Sequence, residues 1–217
     1  MDYTGSVLVI DPSGRGQDET AYAVVKMING FLYVPDCGGV AGGYGDQTLT
    51  KLATIAKEHK VNMVLIESNF GDGMFSELIK PYLRKIYPVT MEEVRHSIQK
   101  EKRIIDTLEP VMNQHKLIID PKVIQKDFDS VQHHPPEKAQ RYMLTYQMSR
   151  ITRNRGSLAH DDRLDALAMG VAYWVEQMAA DVDREIRDRR EQLLMDDLDK
   201  FVNGYNVNSK PRANTWI

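Results

Sequence analysis

The apolar positions of this chain form short unbroken runs in its first third and helical stripes thereafter. Val7-Leu8-Val9-Ile10, closed by Asp11, predicts a buried strand over residues 6–11. Thr20–Ile28 predicts a second strand, Asn29-Gly30 the two-residue turn of a hairpin, and Phe31-Leu32-Tyr33-Val34 a third strand. The Gly38-Gly39 and Gly42-Gly43 pairs are expected to make a flexible break. Leu49, Leu52, Ile55 and Ala56 then recur at helical spacing between Gln47 and His59, and Val61–Glu67 predicts a fourth strand. A loop over Ser68–Gly73 leads to a helix at Met74–Ile86, with Leu78, Ile79 and Leu83 on one side, and a fifth strand at Pro88–Glu92. Three antiparallel strands followed by alternating helices and strands describe an α/β fold, a mixed sheet flanked by helices with the first strand central.

Further along, Lys100–Gln114 predicts a helix, Lys116–Ile119 a short strand and Pro121–Val131 another helix. Residues 132–157 contain His133-His134-Pro135-Pro136 and a polar, basic stretch, expected as a loop or hairpin excursion. Ser157 is expected to cap a helix that runs to about Met178. These elements assign residues 1–178 to one domain and 179–217 to an appendage. Within the appendage, Asp181–Lys200 predicts a charged helix with a thin apolar stripe of Ile186, Leu193, Leu194, Leu198 and Phe201. Asn203–Ile217 is polar and expected to be disordered.

Composition narrows the function classes. With 217 residues, 42% hydrophobic and 27% charged, the chain has room for one substantial core and little more. Its one cysteine, Cys37, excludes an intrachain disulfide framework and a multi-cysteine zinc site, and suits a reducing compartment. No apolar run approaches the roughly 18 residues of a membrane span and no basic-then-apolar leader opens the chain, so a cytosolic protein without a membrane partner is expected. The net charge of −3 means that any nucleic-acid contact must come from a local basic patch.

Three acidic positions carry the candidate chemistry. Asp11 ends one apolar run and Glu67 another, while His160-Asp161-Asp162-Arg163-Leu164-Asp165 opens the apolar helix Ala166-Leu167-Ala168-Met169. Asp162 and Asp165 are three apart and Asp161 and Asp165 four apart, so Asp165 shares a helix face with either. Gathered together, such carboxylates would repel one another and take up protons unless they bound a cation or opened to water. Mg²⁺ and Mn²⁺ prefer oxygen ligands, and two of them roughly 3.5 to 4 Å apart can clamp the attacking and leaving oxygens of a phosphodiester. Each acid also has a bland alternative. Asp11-Pro12-Ser13-Gly14 would make an ordinary turn, and Asp161 and Asp162 would suit any helix N-terminus. Glu67 is harder to dismiss, being neither a turn former nor a good strand residue.

Taken together, Asp11-Pro12 followed by Gly14, Gly16 and Asp18, Ile66-Glu67-Ser68-Asn69, and His160-Asp161-Asp162 with Asp165-Ala166-Leu167-Ala168 resemble the C-terminal nuclease domain of tailed-phage terminase large subunits. The likeness covers about residues 5–178. It implies an RNase H-like fold and a metal-dependent endonuclease that cuts concatemeric double-stranded viral DNA during genome packaging. Carried across by position, Asp11, Glu67 and Asp162 match the three family acids as catalytic residues and metal ligands. Asp165 matches an additional position that contributes a ligand in some relatives. Asp161 and His160 would support the ligands from behind, His160 also being a candidate for orienting water or moving a proton near neutral pH. The implied cofactors are two Mg²⁺ or Mn²⁺ ions when DNA is bound. The implied partners are double-stranded DNA, the terminase ATPase domain, the small terminase subunit and the portal, in a motor assembled transiently on the procapsid in the bacterial host cytoplasm. No Gly-x-x-x-x-Gly-Lys-Ser/Thr segment occurs, so the chain is expected to be a piece of a longer protein, with Met1 supplied, and to lack packaging activity by itself.

Phosphate contacts would be electrostatic and blind to sequence. Lys80, Arg84 and Lys85 form one basic group, and Arg95, Lys100, Lys102 and Arg103 a second. Arg141, Arg150, Arg153 and Arg155 form a third, preferred because it directly precedes the acidic helix. A Holliday-junction resolvase or a cellular RNase H would use the same acids. A sugar-kinase or actin-like ATPase would need a second, duplicated domain for which the length leaves little room. In a non-catalytic reading the carboxylates are turns and caps and the charged tail docks the packaging machine.

Overall fold

The computed structural model describes residues 3–13, 19–68, 73–132 and 134–204. Gly14, Gly16, Asp18, Asn69, His133 and the polar end beyond Gly204 lie outside the described residues. The chain divides into two units, Met1–Val175 and Glu176–Ile217.

Six strands form one mixed sheet. In chain order they are β1 (Gly5–Asp11), β2 (Thr20–Ile28), β3 (Phe31–Val40), β4 (Met63–Glu67), β5 (Thr90–Val94) and β6 (Leu117–Ile119), arranged across the sheet as β5-β4-β1-β2-β3-β6. β1, β2 and β3 pair antiparallel in sequence, while β4 joins β1, β5 joins β4 and β6 joins β3 in parallel. As its unbroken apolar run predicts, β1 is central and buried along its whole length. The β2–β3 turn has Asn29 at φ 52° and Gly30 at φ 76°, the positive-φ pair that suits a two-residue hairpin.

β3 is longer than its first four residues suggested. Gly38 and Gly39 do not break it but pair with Tyr22 and Ala21 of β2. A Cβ at Gly39 would stand 1.9 Å from the Glu19 carboxylate, so glycine is required there by a neighbour rather than by a turn. β5 begins two residues later than expected, at Thr90.

Helices cover both faces. On one side, α1 (Asp46–Glu58) and α2 (Met74–Ile86) set Leu49, Leu52, Ile55, Phe75, Ile79 and Leu83 against Leu8, Ile10, Tyr22, Val24, Val64 and Ile66. α3 (Lys100–Asn113) buries Ile104, Leu108 and Val111, and α4 (Pro121–Ser130) is capped by Asp120, whose side chain accepts from Lys122 N with Pro121 in the first turn. Two short helices, α5 (Pro136–Tyr142) and α6 (Leu144–Arg150), occupy the stretch expected as a loop or hairpin. α5 opens with Pro136 in its first turn, and Asp127 accepts from Leu144 N and Thr145 N at 2.8 and 3.1 Å, capping α6 from a distance in sequence.

The last helix, α7, spans Asp162–Gly204 where two helices had been expected, since nothing between Met178 and Asp183 is a helix breaker. Ser157 does not cap it: its hydroxyl closes a local turn with Thr152. The free Leu164 N–H is met instead by Gln147 Oε1 at 3.0 Å. In the first unit, α7 lies on the sheet face opposite α1 and α2. Trp174 Nε1 donates to Val25 O at 3.0 Å, and a Cβ at Gly170 would stand 2.6 Å from Val25 Cγ2 and 3.2 Å from Val9 Cγ2. In the second unit the helical residues include exposed Ile186, Leu193, Leu194, Leu198 and Phe201, the predicted stripe.

The close approach at Gly170 gives a direct check. Gly170→Leu would drive a side chain into Val9 and Val25 and lower stability by about 1–3 kcal/mol, as overpacking does, measured as a lower urea midpoint at unchanged slope.

Candidate metal centre

Strand alternation decides which way each acid faces. Leu8 and Ile10 enter the core beneath α1 and α2, so Val7, Val9 and Asp11 face the α7 side. Val64 and Ile66 do the same on β4, which turns Glu67 to the α7 side as well. Because β1 and β4 run parallel with Ile10 opposite Ile66, Asp11 and Glu67 emerge side by side at the ends of adjacent strands. The first turn of α7 closes over them, and carboxylate oxygens of Asp11, Glu67 and Asp165 lie within 4.8 Å of one another. All three are buried, Asp165 completely at 0% exposure.

Around this trio, Asp161 and Asp162 stand half-buried. They meet Lys100 Nζ at 2.8 and 3.5 Å and are not part of the group of three. Asp165, the additional position in the sequence resemblance, thus completes the trio, while Asp162 lies beside it. His160 is ordered in a ring stack: it lies 3.9 Å from Tyr142, which lies 4.2 Å from His134.

Two cations share the space with these acids. Lys100 Nζ, at the start of α3, is also 3.2 Å from Asp165 and 3.6 Å from Asp11. Arg103 Nη2, one turn later, is 2.8 Å from Asp165 Oδ1 and 3.6 Å from Glu67 Oε1. Sequence reasoning had put both in a DNA-facing basic group; their distance from the acids in sequence hid the pairing. Five carboxylates therefore face two cations among the described residues. Asp11 Oδ2 and Asp165 Oδ1 are buried and are met by ion-pair contacts alone, from Lys100 at 3.6 Å and Arg103 at 2.8 Å, without hydrogen-bond alignment. Hard oxygen donors, a deficit of positive charge and buried carboxylate oxygens without an aligned hydrogen-bond donor fit a divalent cation held by Asp11, Glu67 and Asp165.

The electrostatics agree. Burial pushes the Asp11 carboxyl well above its ordinary value, Lys100 pulls it back, and Glu67, Asp165 and Asp162 push it further up. Burial likewise raises Asp165 against the opposing pull of Lys100 and Arg103. For Lys100 burial alone would favour the neutral amine, but Asp165, Asp11, Asp161 and Asp162 override it and hold the ammonium charged.

The other basic candidates divide. Arg153 is committed to Asp106 and to Glu109 at 3.1 Å on α3. Lys102, Arg141, Arg150 and Arg155 are exposed, with Arg150 lying 6.0 Å from the Tyr146 ring. A second buried network escaped sequence reasoning: Arg163, fully buried, binds Glu19 and Asp127. The available signal was an arginine placed among Leu164, Ala166 and Leu167 on a core-facing helix, where a charge requires a partner.

Comparison with known proteins accords with this architecture. Residues 10–117 match the family described as the terminase of bacteriophage T7, ribonuclease H-like domain. Over 179 residues, 82% of this chain, the sequence is 47% identical to the terminase large subunit of Enterobacteria phage T3. The chain belongs to the RNase H-like domain family of phage terminase large subunits. It spans about 30% of the length of the phage T3 protein. Among solved structures, the manganese-soaked, inhibitor-bound human cytomegalovirus terminase nuclease domain superposes with a TM-score of 0.54 at 14% identity, covering 79% of this chain and 84% of that one. The nuclease domain of the large terminase subunit of bacterial virus Sf6, in a variant with manganese, gives a TM-score of 0.52 at 11% identity, with 78% and 88% covered. The mixed six-stranded sheet of this terminase family member is therefore the RNase H-like fold.

A pH dependence follows from the raised carboxyls. A carboxyl raised in the folded state binds more protons there than in the unfolded chain, so metal-free stability falls as pH rises through the window above the ordinary value of 3.8. Divalent cations bind the deprotonated form. The rise in melting temperature produced by saturating Mn²⁺ is therefore expected to grow from about pH 5 to about pH 8, and to vanish in Asp165→Asn at every pH.

Proposed function

We propose that this domain is a metal-dependent endonuclease that hydrolyses phosphodiester bonds of double-stranded DNA, cutting concatemeric viral DNA as the genome is packaged. The observation that carries this reading is the convergence of Asp11, Glu67 and Asp165 from two adjacent strands and one helix. The family assignment supports it, as do the manganese-containing nuclease domains that share the fold.

Asp11, Glu67 and Asp165 would hold the cation, with Asp162 and Asp161 at the margin available for a second. Mg²⁺ or Mn²⁺ there would supply the Lewis acidity that readies water for attack and balances charge on the phosphate and the departing 3′-oxygen. The chain's own groups do the rest. Asp11 and Glu67 are fixed by backbone pairing of β1 with β4, so their spacing changes little as substrate arrives. Lys100 and Arg103 offset part of the carboxylate charge and lower the repulsion that a phosphate would otherwise meet. His160, ordered by its stack on Tyr142, is placed next to Asp161 in the chain and could orient water. Exposed Lys102, Arg141, Arg150 and Arg155 are available for phosphate contacts, whereas Arg103 and Arg153 are already paired.

In the complete subunit an ATPase region would drive translocation, and the small terminase subunit and portal would bring DNA and procapsid together in the host cytoplasm. The residues after Val175, with an apolar stripe on a charged helix, are proposed as the docking part of the chain rather than part of the nuclease.

Cleavage of supercoiled plasmid with Mg²⁺, Mn²⁺, Ca²⁺ or chelator tests the reading. Nicked and linear products are expected with Mn²⁺ or Mg²⁺ and none with chelator. Asp11→Asn, Glu67→Gln and Asp165→Asn should each abolish the products while keeping the circular dichroism of the parent. Preference for a four-way junction or an RNA/DNA hybrid over linear duplex would instead assign a resolvase or RNase H activity.

A further inference from the structure

Arg163 sits between two of the acids discussed above yet faces away from them. Its guanidinium is completely buried, and four of its five N–H groups donate to acceptors. Nε and Nη2 donate to the two oxygens of Glu19, the latter bond being 2.8 Å, and Nη1 donates to Asp127 Oδ1 at 2.8 Å and Ser130 Oγ at 2.9 Å. Both acids are held in turn. The Glu19 carboxylate lies over the bare backbone of Gly39, where a Cβ would come within 1.9 Å of it. Asp127 also receives Leu144 N and Thr145 N at the start of α6. One side chain of α7 is thereby locked to the residue preceding β2, to α4 and, through Asp127, to α6.

We propose that the Glu19–Arg163–Asp127 clamp, with the berth that Gly39 leaves for Glu19, is the positioning device that sets the rotation of α7 and so brings Asp165 onto the ends of β1 and β4; this rests on the reading of that trio as a metal centre. Successive helical residues are about 100° apart, so Arg163 and Asp165 project on nearly opposite sides of the axis. A side chain reaches roughly 5 to 6 Å from that axis, so a helix rotation of about 20° would carry a carboxylate oxygen on the order of 2 Å. Metal ligation tolerates only about 0.2 Å. Apolar packing against the sheet is non-directional and fixes such a rotation loosely. A two-pronged arginine–carboxylate bond fixes it tightly, because the planar fork accepts one orientation. Buried ion pairs add little net stability over apolar residues of similar size, which makes geometric definition the better account of three buried charges in one place.

The test separates rotation from stability. In the full 217-residue chain, Gly39→Ala keeps every charged group but displaces the Glu19 carboxylate, and Arg163→Lys keeps the charge but loses the fork. Mn²⁺ affinity is read by calorimetric titration, beside melting temperature and circular dichroism. Both variants are expected to stay folded and to bind Mn²⁺ about 10- to 100-fold more weakly. Leu52→Ala, in the core on the opposite face of the sheet, destabilises without touching the clamp and is expected to keep the parent affinity. If Gly39→Ala does not fold, Arg163→Lys decides. Parent-like Mn²⁺ affinity in a folded clamp variant, or an equal loss in Leu52→Ala, would overturn the positioning role while leaving the metal centre standing. Failure of the parent to bind Mn²⁺ would overturn the metal reading and the clamp with it.

Discussion

Burying a carboxylate without enough positive charge beside it is costly, and the arrangement in which Asp165 is fully enclosed against Asp11 and Glu67 incurs that cost at the centre of the molecule. Three features make it possible. The strand pair β1–β4 supplies two of the acids in fixed register. Helix α7, packed closely on the sheet through Gly170, supplies the third. Lys100 and Arg103 then compensate part of the charge. What remains uncompensated is a demand for a further cation, and the electrostatics of the centre and its proposed chemistry have this same origin.

The rest of the first unit serves to hold the pieces still. α1 and α2 fill one face of the sheet with ordinary apolar packing, while Asp11 and Glu67 turn to the other. The opposite face buries charged and polar groups, each with a structural reason: Arg163 with Glu19 and Asp127, Gln147 with Leu164 N, Cys37 Sγ with Arg163 O. Buried polar networks of this kind specify one arrangement over its neighbours rather than adding much stability. A fold that must hold oxygen ligands to a small fraction of an ångström has a use for that property.

Much of this was legible in the residues. Asp11 and Glu67 each close an apolar run, and period-two alternation was enough to put them on one face once the strands were seen as neighbours. The third acid was narrowed to a helix turn, but spacing places Asp162 and Asp165 on the same side, and the choice between them is made by a rotation that contacts from Glu19 and Asp127 define. Lys100 and Arg103 looked like a surface patch because their partners lie about 60 residues away. Gly38-Gly39 looked like a break because the neighbour that needs the space, Glu19, is on another segment. α5 and α6 were missed because each is only two turns long and has no apolar stripe. Apart from these two short helices, what escaped was a contact between residues far apart in sequence.

The central claim is that Asp11, Glu67 and Asp165 form a cation site. Anomalous diffraction at the manganese edge from crystals soaked in Mn²⁺ tests it most directly. The account predicts a strong peak within ligand distance, about 2 Å, of oxygens from all three residues, with Lys100 withdrawn from Asp11. A carboxylate trio that stays bridged by Lys100 and shows no peak, with Mn²⁺ bound elsewhere or nowhere, would contradict it.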